Sequence, residues 1–150
     1  VPAAECTCPA LASRRYLGKL SGPLRDRIDI ELGLRRVSSA QPGTAAGATT
    51  SAQVREQVGA ARERARHRLR STPWATNAQA SGPWLRNGPL APDADIRRPL
   101  DAALQRGSLT LRGYDRVLRV AWSVADLAGH DRLRAADIGR ALYLKKGVGL

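Results

Sequence analysis

Residues 109–129 read LTLRGYDRVLRVAWSVADLAG, and this stretch decides the fold. Tyr114, Val117, Leu118, Ala121, Val124, Ala125 and Ala128 recur at the 3.6-residue spacing of an α-helix, which Gly129 then ends. The other face carries Arg112, Arg116 and Arg119, with Asp115 and Asp126 as partial local compensation. An apolar stripe this continuous must be covered by other elements, so the helix is expected at the centre of the core.

The neighbours of this segment supply the cover. Downstream, a last helix is predicted from about Ala135 to Tyr143, with Ile138, Ala141 and Leu142 turned inward. Upstream, Pro92 to Arg106 reads as a helix with Ile96, Leu100, Ala103 and Leu104 on its inner face and Gly107 as its cap. Asn77 to Asn87 reads as a short helix or turn carrying Trp84 and Leu85, closed by Gly88 and Pro89. Further back, Val54, Val58, Ala61, Ala65 and Leu69 keep helical spacing, while Arg55, Arg62 and Arg66 share another face. Ser51 is the expected N-cap there and Pro73 the stop. The back of the chain is therefore an all-helical bundle, expected over residues 53–146.

Ahead of it, AQPGTAAGATTSA (Ala40 to Ala52) has no large apolar residue and reads as linker, so residues 36–52 are expected to be flexible. Before the linker, Ile28-Asp29-Ile30-Glu31-Leu32-Gly33-Leu34 alternates with the period of a half-buried strand. A single strand is not stable, so its sheet partners are expected elsewhere. With a start at Val1 and no methionine, this predicts a piece of a longer chain, in which residues 1–35 are the end of an α/β core. The fold class expected is mainly α.

Twenty-five basic residues against thirteen acidic ones give a formal charge of +12 and a pI near 11.3. Such a balance favours phosphate backbones or acidic surfaces. Lys19, Lys145 and Lys146 are the only lysines, a bias that base composition of the gene explains; the shortage of acids it does not explain. Val1 to Leu11 lacks a basic start and apolar run for secretion, and arginines interrupt every apolar stretch. A soluble, cytoplasmic protein with no membrane partner is expected.

Chemistry is sparse. There is no GxxxxGK[ST] loop, no following acidic cluster for magnesium, and no serine-histidine-aspartate arrangement around His67 or His130, which are expected to be solvated. This chain by itself is therefore expected to hydrolyse nothing. Cys6 and Cys8 are too close for an ordinary mutual disulfide, and two thiolates cannot complete a tetrahedral zinc site, so no metal is expected. Trp122 lies beside the inward Ala121 and is expected at the edge of the core.

Three strings taken in order, CTCPALASRRYLGKLSGPLRDRIDIEL, SAQVREQVGAARER and LTLRGYDRVLRVAWSVADLAG, resemble the end of ComM/YifB-type magnesium-chelatase-like AAA+ ATPases. The most specific part is RYLGKLSGPLRDRID, Arg15 to Asp29, which sets a Gly-Pro turn and an Asp-Arg pair directly before the expected strand; Arg25 departs from the leucine usual in the family. The resemblance implies a helical lid behind a fragment of the ATPase core. It implies Arg27 as an arginine finger for a neighbouring subunit's nucleotide, because a planar, permanently charged guanidinium suits a phosphoryl group gaining charge. The alternative for Arg27 is a surface ion pair with Asp26 or Asp29. Arg112 is implied as the sensor-2 residue for nucleotide phosphates, at a helix start that itself favours an anion; the alternative is a solvated helix face.

The Cys6 and Cys8 pair resembles half of a paired cysteine cluster, which makes both weak metal candidates in a full-length protein. The same resemblance implies ATP and Mg2+ as cofactors of the full-length ATPase, a homo-oligomeric ring, and DNA as partner through branch-migration helicase activity. Two alternatives stand beside it: the motor subunit of a magnesium chelatase for tetrapyrrole synthesis, and a free-standing basic helical module that meets nucleic acid through Arg55, Arg62, Arg66 and Arg68.

Overall fold

The computed structural model describes residues 9–33 and 49–146. Cys6, Cys8 and residues 36–48 of the expected linker lie outside them. The described chain is mainly helical, with α1 at Ala10–Gly18, α2 at Gly22–Asp26, α3 at Ser51–Leu69, α4 at Gly82–Asn87, α5 at Ala94–Gln105, α6 at Leu111–Ala128 and α7 at Ala135–Lys146. A single turn of 3-10 helix, Asn77–Gln79, precedes α4.

Helix α6 is the axis of the bundle and packs against α3, α4, α5, α7 and the 3-10 turn. Tyr114, Val117, Leu118, Ala121 and Ala125 are buried, as the periodicity requires, together with Leu85, Leu100, Ala103, Leu133, Ile138 and Ala141 from its neighbours. Trp122 is part of this core rather than its edge, whereas Ala128, nearly two turns further on, is exposed. Trp74 and Trp84 meet edge to face at 5.4 Å on its flank.

Local chemistry sets the helix ends. Thr50, not Ser51, caps α3: the Gln53 amide donates to Thr50 Oγ1 (3.2 Å) and the Thr50 amide donates to Gln53 Oε1 (2.8 Å). This capping box satisfies two donors that a helix start leaves open. Thr110 caps α6 through the Gly113 amide (3.0 Å). Gly129, at φ 76°, turns the chain out of α6 in the left-handed conformation, and the His130 amide closes back on the Ala125 carbonyl (2.9 Å). Gly82 is required for a different reason, since a Cβ there would lie 1.9 Å from Asp115 Oδ2.

The front segment differs from expectation. Residues 10–26 hold two short helices that periodicity did not announce, and Ile28 to Gly33, expected in a strand with Leu34, is irregular. Ile28, Ile30 and Leu32 are 40%, 47% and 62% exposed, so the apolar half of that alternation faces no layer among the described residues.

Candidate functional site

The front segment meets the bundle at one seam, formed by the first turns of α6 and the last turn of α7. Asp26, at the end of α2, accepts a hydrogen bond from the Thr110 hydroxyl, with both carboxylate oxygens 3.0 Å away. Thr110 thus accepts from the Gly113 amide and donates to Asp26, which places a carboxylate at the N-terminus of α6, where the helix dipole stabilises it. Gly113 permits this approach: a Cβ on it would lie 3.3 Å from Asp26 Oδ1 and 2.8 Å from a Leu109 methyl.

Three residues after Asp26, Asp29 receives Arg116 Nη1 at 2.5 Å. Lys145 Nζ donates to the carbonyls of Asp26 (3.0 Å) and Ile28 (2.6 Å), and the Glu31 amide donates to the Leu144 carbonyl (2.8 Å). That last bond satisfies one of the carbonyls left open at the end of α7.

Arg27 lies between these attachments. Its side chain is exposed and has no hydrogen-bond or ion-pair partner among the described residues. The alternative of an ion pair with Asp26 or Asp29 is not what the structure holds, because Asp26 is engaged by Thr110 and Asp29 by Arg116.

Arg112 is likewise exposed and without a partner among the described residues. It borders a cleft of about 640 Å³ together with Gly22, Pro23, Thr110 and Lys145, and with the acids Asp26 and Glu31. Arg27 is not in that lining. The α6 N-terminus, expected to favour an anion, has one from the chain itself in Asp26, and Arg112 borders the same cleft without a partner among the described residues.

Elsewhere the sequence reading missed a buried polar cluster. Asp126, 2% exposed, is paired with both terminal guanidinium nitrogens of Arg68, whose own side chain is 8% exposed; Arg68 Nη2 lies 2.8 Å from Asp126 Oδ2. Asn77 Nδ2 donates to the same oxygen (2.8 Å), and Arg68 Nη2 donates to Asn77 Oδ1 (2.6 Å). The Arg68 guanidinium lies 4.0 Å above the Trp122 ring. Arg68 therefore stabilises the bundle and is withdrawn from the set of arginines available to phosphate. Arg55, Arg62 and Arg66 remain exposed.

His130 is also not a lone solvated group. Its Nδ1 lies 3.0 Å from Asp137, a buried carboxylate that accepts from the Arg134 amide (2.9 Å) at the start of α7. Tyr114, in the core, donates its hydroxyl to Asp101 (2.8 Å); burial first, and then that carboxylate, push its pKa up to about 12.

Among the described residues no group of three or more His, Cys, Asp or Glu side chains could hold a metal ion. No helix among them is long and apolar enough to cross a membrane.

Comparison with known proteins bears on this seam. A family model described as magnesium chelatase, subunit ChlI C-terminal, matches residues 48–145, and one described as magnesium chelatase, subunit ChlI, matches residues 1–42. An uncharacterized protein of Mycobacterium tuberculosis is 46% identical over 142 residues, covering 95% of this chain and 28% of that protein. The competence protein ComM of Haemophilus influenzae is 35% identical over 138 residues, covering 91% and 26% respectively. The uncharacterized protein YifB of Escherichia coli is 32% identical over 139 residues, covering 90% and 26%. The chain thus spans 28% or less of the length of these relatives. No solved structure matches it.

Proposed function

The chain belongs to the magnesium-chelatase ChlI family, and from that premise we propose that it is the arginine-finger and lid part of a ring-forming AAA+ ATPase that acts on DNA. The observation that carries this reading is Arg27: an exposed, unpartnered guanidinium on a backbone held from both sides, with each adjacent aspartate engaged elsewhere. An arginine in that state is presented outward, as a residue that works on a neighbouring subunit's nucleotide has to be.

ATP supplies the phosphoryl group and its growing charge. Arg27 and Arg112 fit the phosphates, since both are free, planar, permanently charged donors. Arg27 neutralises charge at the subunit interface, and Arg112 reads phosphate at the first turn of the lid's central helix. The described residues do not fit Mg2+, for they form no carboxylate cluster, and magnesium coordination is assigned to the rest of the ATPase.

DNA as the partner is supported by the charge of +12, by the exposed Arg55, Arg62 and Arg66 of α3, and by the likeness to ComM-type proteins. The second reading, the motor subunit of a magnesium chelatase, is favoured by the family's own description.

One experiment separates them. In the full-length protein, Arg27→Ala and Arg112→Ala each cut the ATPase rate by orders of magnitude, and wild-type turnover in both refutes the site. ATPase stimulation by branched DNA supports the first reading. Stimulated metal insertion into a porphyrin with partner subunits, and indifference to branched DNA, supports the second.

A further inference from the structure

We infer that Lys145, Thr110 and Arg116 are positioning residues for Arg27, and that through them the lid of one subunit sets the finger offered to the next. The inference rests on the reading of Arg27 as a finger and extends it to how that finger is aimed.

Four attachments converge on six residues of chain. Lys145 Nζ bonds the carbonyls on either side of Arg27, those of Asp26 and Ile28, at 3.0 and 2.6 Å. The two tethered peptides, Asp26–Arg27 and Ile28–Asp29, flank the single peptide that joins Arg27 to Ile28, so one ammonium restrains the backbone turn that carries Arg27. The Thr110 hydroxyl holds the Asp26 carboxylate, Arg116 holds Asp29, and the Leu144 carbonyl accepts the Glu31 amide. None of these groups touches the Arg27 guanidinium, which stays free.

The partners on the bundle side all belong to α6 and α7 or to the cap of α6, and those two helices pack against each other. Arg112 lies between Thr110 and Arg116 on the same helical turns. A phosphate drawn to Arg112 therefore acts on the element that holds the finger segment, and Asp26, lining the same cleft, competes with that phosphate for the α6 N-terminus. The attachment is polar and partly solvated: Leu24 and Ile28 remain 46% and 40% exposed. Contacts of that kind are individually weak and reseat without unfolding a core.

The test uses the assembled full-length ATPase. Lys145→Ala is expected to lower kcat about 10- to 100-fold, the loss associated with an ångström-scale misplacement of a reacting group. The KM for ATP and the thermal midpoint stay near wild type, and Lys145→Arg, which can bridge the same carbonyls, restores turnover. In an Arg27→Ala background Lys145→Ala is expected to have no further effect. The salt-linked contact gives a second route: Arg116→Glu slows turnover, and Asp29→Lys in the same chain restores it.

Wild-type kcat in both Lys145→Ala and Arg116→Glu, with Arg27→Ala slow, overturns the positioning role and leaves the finger standing. A Lys145→Ala defect that persists on top of Arg27→Ala also overturns it. Wild-type kcat in Arg27→Ala instead removes the finger reading itself.

Discussion

Residues 49–146 and residues 9–33 solve opposite problems. The first bury a continuous core around α6, with Val117, Leu118, Ala121 and Ala125 fully enclosed. The second leave Leu11, Tyr16, Ile30 and Leu32 largely exposed and hold on through hydrogen bonds to one end of the bundle. Apolar burial gives the bundle its stability. Polar, directional contacts give the front segment a place without giving it a core of its own. The difference teaches where stability resides: Arg27 and Arg112, the residues proposed for the chemistry, lie on the weakly held side of the seam and at its edge, and the core contains neither.

This contrast can be broken by separating rate from stability. The largest effect is expected from Arg27→Ala in the full-length protein, where the proposed finger role predicts a loss of about 10³-fold or more in ATP turnover. Its thermal midpoint should stay at the wild-type value, and a fall would show that Arg27 belongs to the packing after all. Asp126→Ala should do the reverse. It strands the buried Arg68 guanidinium and should cost about 3–5 kcal/mol in denaturant unfolding of this chain. A loss under about 1 kcal/mol would mean that the cluster is open to water.

Paired truncations sharpen the comparison. Leu118→Ala, in the core, should cost about 2–5 kcal/mol, whereas Leu32→Ala, in the front segment, should stay within about 0.5 kcal/mol. Equal costs would show that the two regions form one cooperative core.

An effect confined to alkaline pH is expected at Tyr114. Tyr114 has its folded pKa raised to about 12 from 10.0, so the folded state keeps the proton that the unfolded state gives up. The stability this contributes is fully present below pH 10 and is lost as pH rises from about 10 to about 12. Tyr114→Phe should remove that alkaline slope, seen as thermal midpoints across this range, while forfeiting one hydrogen bond worth about 1 kcal/mol.

Much of the bundle was legible because helix signals are local. The stripe from Tyr114 to Ala125, the stop at Gly129 and the helix over Ala94–Gln105 all follow from residues within a turn or two of each other. Ile28 to Leu34 shows the limit of the same reasoning. Alternation marks a segment able to form a strand, but a strand exists only when another lies beside it. Thr50 displaced Ser51 as cap because Gln53 stands three residues after Thr50 and completes the reciprocal box. The proposed site residues, Arg27 and Arg112, stood out in the sequence only singly, through the string around each.

By itself the sequence determined the helical class, the central helix and the family, since all three depend on residue order at short range. Only the tertiary structure decided which charges are spent and which are free. Arg68 finds Asp126 58 positions away, Thr110 finds Asp26 at 84, and Lys145 finds the Ile28 carbonyl at 117. No spacing rule reaches so far, because those partners are neighbours only after the helices have packed. Arg27, with both adjacent aspartates or their backbone taken up in this way, is left to face outward.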